Sequence, residues 1–97
     1  MTGRPSRKST LAYKIEIRPG AQKQLQALPN PAQFGIVQAI DRLAETPRPS
    51  GCKKLKGTEL WRIRIGRFRV IYAIFDKELR IVILKTSPRQ EDTYRNL

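Results

Sequence analysis

Arg62, Arg64 and Arg69 lie within one stretch, Leu60 to Phe75, written LWRIRIGRFRVIYAIF. A planar guanidinium presents forked donors that match phosphate oxygens, so clustered arginines suit holding a phosphodiester and stabilising charge that builds on it. The stretch alternates Trp61, Ile63 and Ile65 with Arg62 and Arg64, turns at Gly66-Arg67, and alternates again through Phe68, Val70 and Tyr72. Such period-two patterning predicts a half-buried strand on each side of a two-residue Gly-X hairpin. That turn puts Ile65 opposite Phe68, Ile63 opposite Val70 and Arg64 opposite Arg69, with Arg62 one step along the same face. Like charges directly opposite each other destabilise a sheet, so a sequence that keeps them reads as holding a site for an anion. A single arginine in a strand usually means only a solvated face; three on one face, two of them opposed, favour phosphate. Trp61, Phe68 and Tyr72 are expected in the core rather than as base-stacking platforms.

The charge of the whole chain points the same way. Its 97 residues carry a net charge of +12, well beyond what solubility needs, and nucleic acid is the first candidate partner. Arg48, Lys53, Lys54, Lys56, Arg62, Arg64, Arg67 and Arg69 against Glu59 alone give the segment 48–69 a net +7. Lys53, Lys54, Lys56 and Arg67 are expected to make delocalised, salt-sensitive contacts to RNA that carry no sequence information. There is no histidine and Cys52 is the only cysteine. That excludes metal sites of His/Cys type, Ser-His or Cys-His catalysis and an internal disulfide, and Cys52 is expected to be inert. No cofactor is expected. Arg4, Arg7 and Lys8 are followed by LAYKIEI rather than by the long apolar run of a signal peptide. The longest uninterrupted apolar run, VIYAIF, is too short to span a bilayer, so a cytoplasmic protein with no membrane contact is expected.

The elements that must position these arginines are legible as a β, α, α, β series. Residues 1–10 lack apolar periodicity and read as a flexible basic arm, leaving 11–97 as one domain. Tyr13, Ile15 and Ile17 alternate with Lys14, Glu16 and Arg18, giving a first strand that Pro19-Gly20 breaks. Ala21, Leu25 and Leu28 then mark a short helix. Asn30 is placed as an N-cap with Pro31 at the first helical position, and Phe34, Val37, Ile40, Leu43 and Ala44 mark the inward face of a second helix to about Glu45. So short a link predicts an antiparallel helical hairpin. TPRPSGC is a loop, KKLKG a short basic strand or extended segment, Asp76-Lys77-Glu78 a turn, and LRIVILK a central strand covered on both faces. The expected class is α+β, with two helices packed on one face of a sheet of three or four antiparallel strands. The intervening helices allow the first strand to return parallel to a later one.

The first strand, the αα hairpin, "KLKG", "WRIRI", "GRFRVIY" and a terminal Arg…Tyr together resemble the RelE/ParE superfamily of bacterial and archaeal toxins, over Tyr13 to Arg95. In its RelE branch the resemblance implies a metal-independent, ribosome-dependent endoribonuclease that cuts mRNA in the A site, using basic residues on the sheet and a C-terminal Arg and Tyr. Arg62 and Arg64 fall where that branch often has lysines, Arg69 on the arginine after the hairpin, Arg89 approximately on the C-terminal Arg, and Tyr94 on the aromatic near the end. Arginine does not give up its proton, so Arg62 and Arg64 suit charge stabilisation rather than a base. Glu59, Glu91, Asp92 and Tyr94 stay open as proton-transfer groups. The resemblance further implies a cognate antitoxin that lays an acidic amphipathic helix on this protein, alongside ribosome and mRNA as partners. Two alternatives stand beside this reading: a ParE-like topoisomerase inhibitor without nuclease activity, and a non-toxic basic RNA-binding relative.

Overall fold

A computed structural model describes residues 12–88; the expected basic arm, Arg89, Glu91, Asp92 and Tyr94 lie outside the described residues. Strand β1 (Lys14–Ile17) leads into helix α1 (Pro19–Gln26) and helix α2 (Asn30–Leu43), followed by β2 (Lys53–Lys54), β3 (Leu60–Ile65), β4 (Phe68–Phe75), a single 3-10 turn (Asp76–Glu78) and β5 (Arg80–Pro88). The strands form one sheet in the order β1-β5-β4-β3-β2. Four strands are antiparallel as expected, and β1 returns parallel to β5, which makes five. Among the described residues no helix is long and apolar enough to cross a membrane.

The hairpin has the expected register: Ile65 pairs with Phe68, Arg64 with Arg69 and Ile63 with Val70. Gly66 takes φ 62, and Arg67 does not have a positive φ. Positive φ at the first central position alone is the II′ arrangement, whose twist matches that of the strands it joins. The KKLKG segment is a strand only at Lys53–Lys54, with one further backbone bond from the Leu55 N–H to the Leu60 carbonyl (2.8 Å). Beyond it, Thr58 Oγ1 donates to the Leu55 carbonyl (2.9 Å) and accepts the Leu60 N–H (3.0 Å), so a side chain supplies bonds a ladder would have made.

Alternation sorts the sheet into two faces. Ile63, Val70, Tyr72, Ile81 and Ile83 point to one side and pack with Ala21 and Leu25 of α1 and Ile36, Ile40 and Leu43 of α2. Both helices therefore cover the same face, as expected. The strand expected to be central is β5: Ile81, Val82 and Ile83 are all buried. The end of β5 is tied to α1, where Thr86 Oγ1 donates to the Ala21 carbonyl (3.2 Å) and Thr86 N–H to Gln24 Oε1 (2.9 Å).

The helices correct three expectations. Pro19 and Gly20 do not precede α1 but begin it, because proline's missing N–H costs nothing in a first turn. The residue flanking α2 is Pro29 rather than Asn30, which already lies inside the helix and makes no side-chain cap. The buried stripe of α2 is Ile36, Ile40 and Leu43, whereas Phe34 is 65% and Val37 40% exposed. The two candidate stripes share Ile40 and Leu43, so helical period alone did not choose between them. Tyr13 N–H donates to the Ala44 carbonyl (2.8 Å), and Gln33 Nε2 to the Leu28 carbonyl (2.8 Å). Those two bonds hold the ends of α2 at the rotation that turns Ile36 inward and Phe34 outward.

The loop before β2 is clasped to the sheet. Tyr72 donates its hydroxyl to the Pro47 carbonyl (2.8 Å), and burial raises the pKa of that hydroxyl. Arg48 bonds Asp76 (2.9 Å) and lies 5.1 Å from the Trp61 ring centroid, while Tyr13 donates to the same carboxylate (2.7 Å). These bonds, Arg48 first and then Tyr13, hold the Asp76 carboxyl below its ordinary 3.8. A depressed carboxyl adds stability that is present above the unfolded value and lost as pH falls through the folded one. Wild type should thus out-melt Asp76→Asn near neutral pH, with the gap closing below about pH 4. Thermal melts of both proteins across that window check it, and a gap that persists into acid would exclude the ion pair as its source.

Candidate nucleic-acid interface

The face of the sheet turned away from the helices carries the candidate residues in two neighbouring rows. One runs across four strands through Lys53, Arg62, Ile71 and Lys85, each paired with the next. The other runs through Arg64, Arg69 and Ser87. Adjacent strands lie about 4.8 Å apart and same-face neighbours along a strand about 7 Å. Arg62, Arg64 and Arg69 therefore rise from a patch about the size of one nucleotide's phosphate and sugar.

Their burial differs in a way that bears on electrostatics. Arg62 is only 9% exposed, Arg69 is half-buried and Arg64 is exposed. A guanidinium partly withdrawn from water is less screened, so its field at a bound phosphate is stronger than that of a free surface lysine. The structure thus brings together the three arginines chosen from the sequence.

The flanking cations fall less uniformly. Lys53 joins the row of Arg62 from the sheet edge, and Arg67 stands exposed at the hairpin tip beside Gly66. Lys54 pairs opposite Trp61, on the helix side, and its Nζ lies 3.7 Å from Glu59. Lys54 therefore does not share the face of the arginines, and Glu59, one of the proton-transfer candidates, already has a cation beside it. Lys56 lines a cleft of about 390 Å³ formed by the loop 54–59 itself. Arg89 and Tyr94 lie outside the described residues, which end at Pro88 paired with Phe68 at the hairpin. Tyr72 and Val70 are fully buried and Trp61 and Phe68 pack against the core, as expected of the aromatic positions.

One cation on this face escaped the sequence reading. Strict alternation along LRIVILK groups Lys85 with Ile81 and Ile83, on the helix side. The register instead shifts between Ile71 and Tyr72: Tyr72 pairs with Ile83 but Ile71 with Lys85. The extra residue is Leu84, and beyond it the faces exchange, leaving Leu84 and Lys85 exposed and Thr86 buried. No residue pattern signals this exchange; in the fold it accompanies the burial of Thr86 and its bond to the Ala21 carbonyl, which leave Lys85 on the opposite side.

Comparison with known proteins places this arrangement. The sequence pattern of the family described as ParE toxin of type II toxin-antitoxin system, parDE, matches residues 15–93. A Methanocaldococcus jannaschii protein, provisionally named toxin RelE1, is 33% identical over 90 residues, covering 89% of this chain and 99% of that protein. The crystal structure of the archaeal RelE-RelB complex from Pyrococcus horikoshii superposes with a TM-score of 0.74 at 35% identity, over 82% of this chain and 98% of that one. The RelBE2 toxin-antitoxin complex of Mycobacterium tuberculosis gives a TM-score of 0.74 at 24% identity, over 82% and 94%. The last likeness shows the shared fold alone.

Proposed function

This chain belongs to the RelE/ParE superfamily of type II toxin-antitoxin toxins, and we propose that it is a ribosome-dependent endoribonuclease that cleaves mRNA in the A site and stops translation. The observation that carries this reading is the direct opposition of Arg64 and Arg69, with Arg62 beside them on the open face. Cleavage by the neighbouring 2′-hydroxyl needs that hydroxyl deprotonated, the pentavalent phosphorane stabilised and the 5′-oxygen protonated. The three guanidiniums suit the second need, since three positive charges carried on one face within a nucleotide's span stabilise negative charge that develops on a phosphate lying over them. They do not meet the first or third, because arginine keeps its proton. Arg89 and Tyr94 remain part of the proposal, Tyr94 for stacking on a base or for proton transfer. Lys53, Lys56 and Arg67 extend the positive surface over which a strand of RNA can lie, with Lys54 adding charge from the side.

The partner proposed is an antitoxin presenting an acidic amphipathic segment. The Pyrococcus relative was crystallised as a RelE-RelB complex. On this chain, Phe34 and Val37 expose an apolar strip on α2. It adjoins a cleft of about 320 Å³ between α2 and β3, flanked by Arg42 and Arg64. An apolar seat flanked by cations suits a helix with one greasy and one acidic side.

The ParE description of the matching family favours a second reading, binding and poisoning of a topoisomerase without nuclease chemistry. Induction in cells with mapping of message ends on ribosomes separates the two. Cuts in phase with codons support the nuclease; DNA damage without cuts replaces it with the topoisomerase poison; the absence of both overturns the two and leaves a non-toxic basic RNA-binding relative.

A further inference from the structure

We propose that Lys85 holds the phosphate next to the scissile one, so that the open face binds two consecutive phosphates of its message; the proposal rests on the endoribonuclease reading. The two rows of the sheet set the two positions. Ile65 and Phe68 close the two-residue turn as a hydrogen-bonded pair, so Arg64 and Arg69 form the non-hydrogen-bonded pair beside it, with backbones about 4.5 Å apart. Two guanidiniums so close suit one shared phosphate. About 7 Å along the strands, the next row holds Arg62, Ile71 and Lys85. Arg62 and Lys85 lie two strands apart, about 10 Å at their backbones, on either side of Ile71. Their side chains are long enough to reach one anion from both sides, and Arg62 stands next to both positions.

An exposed lysine is ordinarily only a solvated one, and three observations set Lys85 apart. Its face is assigned by the bulge at Leu84, and bulges recur beside active sites because they re-aim a side chain. Its backbone is held, since the next residue, Thr86, is bonded to α1 through both its hydroxyl and its N–H. Cations elsewhere on the molecule are matched to carboxylates: Arg80 to Glu16 (3.1 Å) and Glu78 (2.7 Å), Arg48 to Asp76 (2.9 Å) and Lys54 to Glu59 (3.7 Å). Among the described residues no ion pair holds Lys85, and no carboxylate stands in either row.

The chemistry of the row also fits a nucleotide rather than a lone anion. Ile71, half-buried between the two cations, has no polar side-chain atom. It offers the ribose or base of that nucleotide an apolar surface while the charges on either side hold its phosphate. A phosphate that does not react carries the same charge before and during cleavage. Holding it therefore strengthens substrate and transition state alike, which lowers KM without raising kcat. Lys85 is a substrate-binding residue in this assignment, and the proton transfers stay with the groups named above.

The test crosses protein variants with three messages on programmed ribosomes: one ordinary, and two carrying an uncharged methylphosphonate at the phosphate immediately before or after the scissile one. Lys85→Ala should raise KM for the ordinary message about tenfold or more with kcat near wild type, and Lys85→Arg, which keeps the charge, should restore it. Wild type should lose as much on one of the two neutral messages, and on that message Lys85→Ala should lose nothing further, because the contact is already gone. Arg64→Ala should lower kcat on all three. An unchanged KM in Lys85→Ala overturns the proposal, as does a loss carried by kcat. So does a further loss by Lys85→Ala on both neutral messages, which would mean that the lysine acts on neither flanking phosphate. If wild type leaves the ordinary message intact, the nuclease reading falls and this assignment with it, an outcome distinct from a cleaved message that is indifferent to Lys85.

Discussion

Arg69→Ala is expected to cleave ribosome-bound message about 100- to 1,000-fold more slowly than wild type, the usual cost of removing one oriented donor from a transition state. Ribosome binding should persist, since the delocalised contacts proposed for Lys53, Lys56 and Arg67 do not pass through Arg69. Stability should move little, for two opposing reasons. Arg69 pairs directly with Arg64, so its removal relieves a like-charge opposition of the order of 0.2–1 kcal/mol. It is also half-buried, so the alanine forfeits contacts of the arginine stem. Single-turnover cleavage, ribosome co-sedimentation and a thermal melt of the same preparation separate these quantities. Arg64→Ala should act in the same direction. If both residues hold one phosphate, the double variant should lose less than the product of the single losses. Unchanged cleavage rates in Arg62→Ala, Arg64→Ala and Arg69→Ala together would remove the basis for the site.

How much of this was legible before the fold was known depends on which physical signal each residue carried. The hairpin was legible in full because two signals agreed. Period-two alternation fixed which residues share a face, and Gly66 supplied the positive φ that a two-residue turn needs, so Arg64 opposite Arg69 followed by counting. The apolar run of β5 likewise announced an interior strand. Its bulge was not legible. Leu84 is one more apolar residue in an apolar run, and only the pairing of Ile71 with Lys85 shows that the faces exchange there. Lys85 was lost from the reading for that reason alone. The parallel return of β1 was allowed by the length of the αα connection but not required by it. The three arginines were thus recoverable from local pattern, while the lysine that completes their row depended on a tertiary constraint.

Helix α2 shows the same limit, and a pair of substitutions exposes it. Phe34 is the largest apolar side chain on the helix and would seem the natural anchor, yet it is 65% exposed while Ile36 is fully buried. Ile36→Ala should therefore cost about 2–5 kcal/mol, from lost burial and the cavity left behind. Against a domain stability of about 5–15 kcal/mol that is a large fraction. At roughly 4–8 °C per kcal/mol for a chain of this size, the melting temperature should fall by about 10 °C or more. Phe34→Ala should change stability by no more than about 0.5 kcal/mol, since little of the ring leaves water on folding. Its effect should appear in partner binding instead. An aromatic anchor seated in an apolar contact commonly contributes over 1 kcal/mol, so antitoxin affinity should weaken about fivefold or more. Denaturation of the free protein and titration with its antitoxin measure the two effects separately. A large melting loss in Phe34→Ala with none in Ile36→Ala would mean that α2 packs with the other face inward. If instead Phe34→Ala is stable and binds its antitoxin unchanged, the packing of α2 stands and the antitoxin seat must lie elsewhere on the toxin.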